Sequence, residues 1–299
     1  MKRALVLSGG GSKGAYEAGF LLAAKELNQH FDIVTGTSIG ALNGALVAMG
    51  DYEGLEYTWN ILDMDHVFNN APDLTDLRDD FMTTSLFNKE EGSNLSELKE
   101  SIAQQTSLAQ SFLRYYFKNK GADNTPFVEH CRGLMDEERL LSSPIDFGIC
   151  TVQFPSMKAC YKTKSEMERG HMLDYLLASS ACFPVFPMTE INGNKYIDGG
   201  FSDNLPIDLA LDMGADEIVV VDMHLVPVHP QYLNRPSILY SCPPVDLGGF
   251  MDFNKDALER NKRLGYLMAY KLFGNYEGNQ YTFLPSNQTV FHDYYKQLL

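Results

Sequence analysis

The sequence predicts an α/β fold in which helices cover a parallel sheet. Three observations carry this. The chain opens with a β-α-β-α alternation joined by tight glycine turns, strand-like runs return after a polar middle, and Glu217-Ile218-Val219-Val220-Val221-Asp222 reads as a strand buried on both faces. Residues 2–7 form the first strand, stopped by Gly9-Gly10-Gly11. Residues 14–28 have helical spacing, with Tyr16, Phe20, Leu21, Ala24 and Leu27 on one face. Residues 31–35 are a second short apolar strand, and a helix over 39–49 is closed by Gly50. From about Leu62 to Ser143 the chain is richer in Asn, Asp, Glu, Ser and Gln and carries an aromatic cluster at Phe112, Tyr115, Tyr116 and Phe117. This reads as helices and loops inserted between sheet strands. It is either a cap over an apolar pocket or a subregion with its own small core. Strands follow at 145–153 and 158–163, a helix at 172–181, and a short strand at 195–197 that turns at Asp198-Gly199-Gly200. Residues 206–213 form a helix leading to the strong strand, and 254–273 a long helix charged on one side. Without a repeat, a low-complexity tract or a linker, residues 1–299 are expected to form one domain with the insertion at about 62–143.

A chain of 299 residues with 44% hydrophobic and 21% charged residues has ordinary globular composition. Its formal net charge of -15 argues against a nucleic-acid partner, whose phosphates need clustered Lys and Arg. The same charge opposes strong attraction to an anionic membrane leaflet. It leaves room for a local basic patch and for transient contact with a membrane surface. No apolar run approaches the ~20 residues that span a bilayer. The apolar start, residues 4–7, is too short for a signal peptide and meets glycines at once, so the expected location is cytoplasmic. The 5 cysteines, Cys131, Cys150, Cys160, Cys182 and Cys242, are scattered, without a CxxC pair, and read as free thiols rather than a zinc site.

Gly36-Thr37-Ser38-Ile39-Gly40 fits G-x-S-x-G and falls between a predicted strand and a predicted helix. That is the context of a nucleophile elbow. The serine sits at the sharpest point of the turn, and Gly36 and Gly40 remove side chains that would collide there. A helix N-terminus beside it favours a developing oxyanion. Gly9-Gly10-Gly11-Ser12-Lys13-Gly14 lies between the first strand and its helix. Such a run suits either a phosphate cradle or an oxyanion hole. A Walker A loop fails, because Lys13 is followed by Gly14, and no acidic residue stands at dinucleotide spacing. In a parallel sheet the loops after adjacent strands share one edge. The glycine loop and the serine elbow would therefore meet, which favours an oxyanion hole.

A serine hydroxyl needs a base. Among the 7 histidines His224, just past the strong strand, is the candidate, with a rim histidine as the plain alternative. Asp198-Gly199-Gly200 is the other: a carboxylate after a short strand, with glycines leaving room for a tight turn, though Asp-Gly also marks ordinary turns.

Taken together these motifs resemble the bacterial patatin-like phospholipases. The resemblance runs through the glycine loop, the elbow, Ala178-Ser179-Ser180-Ala181-Cys182-Phe183-Pro184, Asp198-Gly199-Gly200 with Asn204 and Pro206, and Arg260-Asn261-Lys262-Arg263-Leu264-Gly265-Tyr266. It implies a three-layer α/β/α sandwich with a mostly parallel central sheet. It also implies a Ser38–Asp198 dyad, an oxyanion hole built from backbone N–H groups of Gly9, Gly10 and Gly11, a lipid or acyl-ester substrate, and no metal or organic cofactor. Three other readings compete. One is an α/β-hydrolase triad of Ser38, Asp198 and His224, although only one strand precedes the elbow strand. A second is a malonyl-type acyltransferase, although Thr37 and Ile39 rather than His flank the serine. The third is a non-catalytic lipid-binding protein on the same fold.

Overall fold

Arg3-Ala4-Leu5-Val6-Leu7 places four apolar side chains in a row, and a strand of that kind is stable only with both faces covered. The computed structural model describes residues 1–69, 122–183 and 185–274 and shows this arrangement. In β1 (Arg3–Leu7), Leu5 and Leu7 join one hydrophobic core, while Ala4 and Val6 join another on the opposite face. The larger core is closed by α1 (Gly14–Glu26), α2 (Ile39–Ala48), α3 (Tyr52–Ile61), α7 (Met172–Ser179) and α9 (Lys255–Phe273). The smaller is closed by α8 (Ile207–Asp212) and a short 3-10 turn, Pro230–Tyr232. The layers are helix, sheet, helix, as expected. Three short helices complete the described part: α4 (Met64–Val67), α5 (Thr125–Leu134) and α6 (Glu137–Ser142).

Among the described residues the sheet has 8 strands and runs β5-β6-β3-β2-β1-β7-β8 along its main path, with β4 paired to β3. The strands are β2 (Ile33–Thr37), β3 (Asp146–Phe154), β4 (Lys158–Thr163), β5 (Thr189–Ile191), β6 (Asn194–Asp198), β7 (Glu217–Val221) and β8 (Ile238–Ser241). From β3 to β8 the path is parallel, and β4, β5 and β6 are antiparallel additions. The second strand begins two residues later than its apolar run suggests, because pairing with β1 starts at Ala4 opposite Ile33. It also runs on through Gly36 and Thr37. α1 is buried on nearly every side rather than along one face, since α9 lies along its outer surface. The approach is close: a Cβ on Gly19 would stand 1.8 Å from the Lys262 carbonyl, and one on Gly265 1.8 Å from that of Tyr16. α3, β5 and β8 were not anticipated. The aromatic cluster at 112–117 lies outside the described residues.

Candidate active site

β3 brings the site together. Its residues 148–153 pair with β4 along one edge. The other edge is shared by two strands: β2 pairs with 146–150 in parallel, and β6 pairs with 151–154 in antiparallel. Thr37 therefore stands opposite Cys150 and Asp198 opposite Thr151, so two strands running towards each other end side by side. Gly199 fills the junction. A Cβ there would be 2.2 Å from the Cys150 carbonyl and 2.8 Å from Cγ2 of Thr37.

Beyond Thr37 the chain must reverse into α2, and Ser38 takes φ 55 and ψ -127, a region L-residues rarely occupy. Gly40 makes the reversal possible, because a Cβ on it would meet the Ser8 carbonyl at 2.5 Å. A Cβ on Gly36 would meet the carbonyl of Gly40 at 2.4 Å. The hydroxyl of Ser38 donates to Oδ2 of Asp198 at 2.7 Å, and Oδ1 of Asp198 accepts the Gly200 N–H at 2.8 Å. Asp198 is only 6% exposed. Burial pushes its carboxyl up to about 6, against the opposing pull of the hydrogen bonds from Gly200 and Ser38.

The glycine loop after β1 lies against the elbow, as adjacency of β1 and β2 requires. A Cβ on Gly9 would be 3.0 Å from Cβ of Ser38 and 2.3 Å from Oδ1 of Asn204. Gly9 and Asn204 are paired twice: the Gly9 N–H donates to the Asn204 carbonyl at 3.0 Å, and Nδ2 of Asn204 donates to the Gly9 carbonyl at 3.1 Å. The expectation that Gly9 supplies an oxyanion N–H is therefore corrected, because that donor is already used. Among the described residues no partner is found for the N–H of Gly10 or Gly11, and both line the pocket with Ser38. Gly11 has φ 56, and a Cβ on it would be 2.2 Å from the Phe250 carbonyl. Burial holds the Lys13 ammonium below the usual lysine range, with Asp246 and Asp222 pulling it back up.

Several positioning groups were not foreseen. The Ser38 N–H donates to Oγ of Ser179 at 2.9 Å, and that hydroxyl donates to the Cys150 carbonyl at 2.6 Å. Thr37 and Thr35 donate to the carbonyls of Asp203 and Pro206 at 2.8 and 3.0 Å. The segment 203–206 thus fastens β2 and the glycine loop together. His224 is engaged elsewhere, with Nδ1 at 2.6 Å from Oδ1 of Asp222, while Ser38 bonds directly to Asp198. Among the described residues no group of His, Cys, Asp and Glu converges as metal ligands would.

Ser38, Asp198, Gly10 and Gly11 open into a pocket of about 810 Å³ including its mouth. Leu42, Leu62, Val67, Phe127, Phe186 and Phe250 make its walls largely apolar. A second apolar pocket of about 490 Å³, its mouth included, adjoins it, sharing Ile39, Leu42, Leu62 and Phe127.

Sheet and site together define an α/β/α protein with a serine elbow hydrogen-bonded to an aspartate at the carboxyl edge of its parallel strands. A family model for patatin-like phospholipases matches residues 5–211, and the chain belongs to that family. It is similar to the lysophospholipase NTE1 of Meyerozyma guilliermondii, 23% identical over 92% of this chain and 19% of that protein. It is also similar to the patatin-like phospholipase domain-containing protein 7 of Rattus norvegicus, 26% identical over 74% of this chain and 13% of that protein. The chain thus spans less than a fifth of the length of these relatives. VipD from Legionella pneumophila has the same fold, with a TM-score of 0.53 at 16% identity, covering 91% of this chain and 66% of that one. Among the described residues no helix is long and apolar enough to cross a membrane.

Proposed function

We propose that this chain hydrolyses carboxylic esters of lipids through an acyl-enzyme on Ser38, with Asp198 as the base. The hydrogen bond from the Ser38 hydroxyl to the buried Asp198 carboxylate, at the mouth of an apolar pocket, carries this reading. Asp198 takes the hydroxyl proton as Ser38 attacks the ester carbonyl. The N–H groups of Gly10 and Gly11 hold the oxyanion, and the proton passes to the departing alcohol. Asp198 then takes a proton from water, which attacks the acyl-enzyme; the acyl–oxygen bond breaks, the proton passes to Oγ of Ser38, and the fatty acid is released. Gly36 and Gly40 shape the elbow, and Gly9 serves through its missing side chain, which lets the loop approach Ser38. No cofactor has a part in these steps. Residues 1–299 act as one domain, and the flanks of the insertion at about 62–143 wall the acyl pocket with Leu62, Val67 and Phe127. A cytoplasmic setting agrees with the free thiols of Cys131, Cys150, Cys160, Cys182 and Cys242. Contact with substrate membranes is transient. A panel of phospholipid, lysophospholipid and glyceride esters, assayed with the chain and with Ser38→Ala, tests the reading. Ester release by both proteins alike would end it.

Two further outcomes are expected. Asn204→Ala removes the side-chain half of the Gly9 pairing but touches no reacting atom. It should lower kcat by about ten- to a hundredfold through a misplaced oxyanion loop, with KM little changed. A rise in KM alone, measured by steady-state kinetics, would contradict this. Phe127 stands between the two cavities, so Phe127→Ala should move the preference towards longer acyl chains. Each newly accommodated methylene, worth ~0.8 kcal/mol, should raise kcat/KM about fourfold. An unchanged profile across a series of ester lengths would remove Phe127 from the acyl path.

A further inference from the structure

We propose that the carboxyl edge of the sheet seats on a lipid–water interface through two pre-formed apolar loops that straddle the dyad. The proposal rests on the lipid acyl hydrolase reading and adds the surface by which substrate is reached. The first loop follows β7. Its tip carries Leu225 and Val226, which are 53% and 74% exposed. Its base is fastened around the carboxylate of Asp222, which is fully buried. That carboxylate accepts the backbone N–H groups of His224 and Val228, each at 3.0 Å, and the Tyr240 hydroxyl at 2.6 Å. The exposure of the tip is therefore held in place from within the fold, at a standing cost in water.

The second loop joins β3 to β4; Phe154, the last residue of β3, and Met157 in the loop are 39% and 48% exposed. Met157 has φ 54, where Gly or Asn is the usual choice, and its N–H closes the turn on the Gln153 carbonyl at 2.9 Å. Phe154 lies three residues beyond Thr151, the partner of Asp198, so the loop reaches roughly 10 Å past the dyad. β1, β2, β3 and β7 are parallel, so both loops leave the same edge. Three strand spacings separate them, roughly 14 Å, with Ser38, which follows β2, between.

Charge points to the same occupant. The chain as a whole carries -15, which an anionic leaflet repels. The β3–β4 turn, residues 152–159, nevertheless contains Lys158 and no Asp or Glu, and Lys195, whose other ladder partner is Glu190, pairs with Phe154. Lys158 and Lys195 are exposed beside the apolar tip. Two apolar tips, the second flanked by lysines, fit the headgroup boundary of a membrane containing anionic lipid.

The test uses the full chain with Ser38→Ala, so that vesicles survive the measurement. Co-sedimentation with phosphatidylcholine vesicles, with and without phosphatidylserine, should show binding. Val226→Asp and Met157→Asp should each weaken it about tenfold or more. Lys158→Glu should remove only the increment due to phosphatidylserine. In the chain with Ser38 intact, Val226→Asp and Met157→Asp should slow hydrolysis of vesicle lipid and leave hydrolysis of a monomeric short-chain ester unchanged. Vesicle binding that is absent, or indifferent to these substitutions, overturns the proposal. So does an equal loss on the monomeric ester, which would mark the loops as structural. If the chain cleaves no ester at all, the hydrolase reading fails while the sedimentation result still decides the docking surface.

Discussion

Replacing Ser38 by alanine is expected to lower kcat by at least about a thousandfold, leaving only what the oxyanion donors and substrate binding supply. A fluorophosphonate should add once to the chain, at Ser38, and not at all to Ser38→Ala. An adduct elsewhere, with Ser38→Ala still turning over, would refute the assignment. The elbow adds a second signature. Ser38 holds φ 55 and ψ -127, a conformation that costs a side-chain-bearing residue about 1–3 kcal/mol. Ser38→Ala and Ser38→Gly both lose the hydrogen bond to Asp198, so their difference isolates the backbone. Ser38→Gly should be as inactive as Ser38→Ala and roughly 1 kcal/mol more stable. Chemical denaturation of both variants measures the difference. Equal stability would mean that the backbone at this position is not strained.

The parts of the site written in local backbone geometry were legible in the sequence. Gly36 and Gly40 are dictated by atoms within a few residues or across one strand, so the pattern around Ser38 shows itself. The parallel neighbours β1 and β2 followed from the opening alternation, and with them the meeting of glycine loop and elbow. What escaped depends on long-range pairing. Nothing local marks Ser179 as the acceptor of the Ser38 N–H, because that contact needs α7 to pack over β3. The shared edge of β3, which sets Asp198 against Ser38, joins three segments far apart in the chain. Gly9 misled for a related reason. A glycine run shows that backbone groups are accessible, but not which N–H another segment takes, and here Asn204 takes it. β8 reads poorly because it is a four-residue edge strand, Ile238-Leu239-Tyr240-Ser241, too short to show a strand period.

Asp198→Asn is expected to abolish most turnover while leaving the protein at least as stable as before. The amide is nearly isosteric. Its oxygen can accept the Gly200 N–H, and its nitrogen can donate to the Ser38 hydroxyl, so both hydrogen bonds survive with one reversed. What disappears is the base. The carboxyl titrates at about 6 rather than 3.8, chiefly because burial penalises its charge. The sign of the linkage follows. Between about pH 4 and pH 6 the folded chain holds a proton that the unfolded chain has released, so stability falls as pH rises through this window. Above it, keeping Asp198 ionised costs roughly 3 kcal/mol of folding stability. Near pH 7.5 Asp198→Asn should therefore melt at or above the temperature of the unmodified chain, with the gap closing as pH falls towards 4. Activity runs the other way. The ionised carboxylate is the form that accepts the serine proton, so kcat/KM should rise through about pH 6 and level off above it. His224→Ala should keep activity within about tenfold, since its imidazole is bound to Asp222. The deciding comparison is the pH–rate profile and melting temperature of the unmodified chain, Asp198→Asn and His224→Ala. An inactive His224→Ala beside a fully active Asp198→Asn would replace the dyad with a histidine base. A melting temperature of Asp198→Asn well below that of the unmodified chain at neutral pH would show that the buried charge is better compensated than its surroundings indicate.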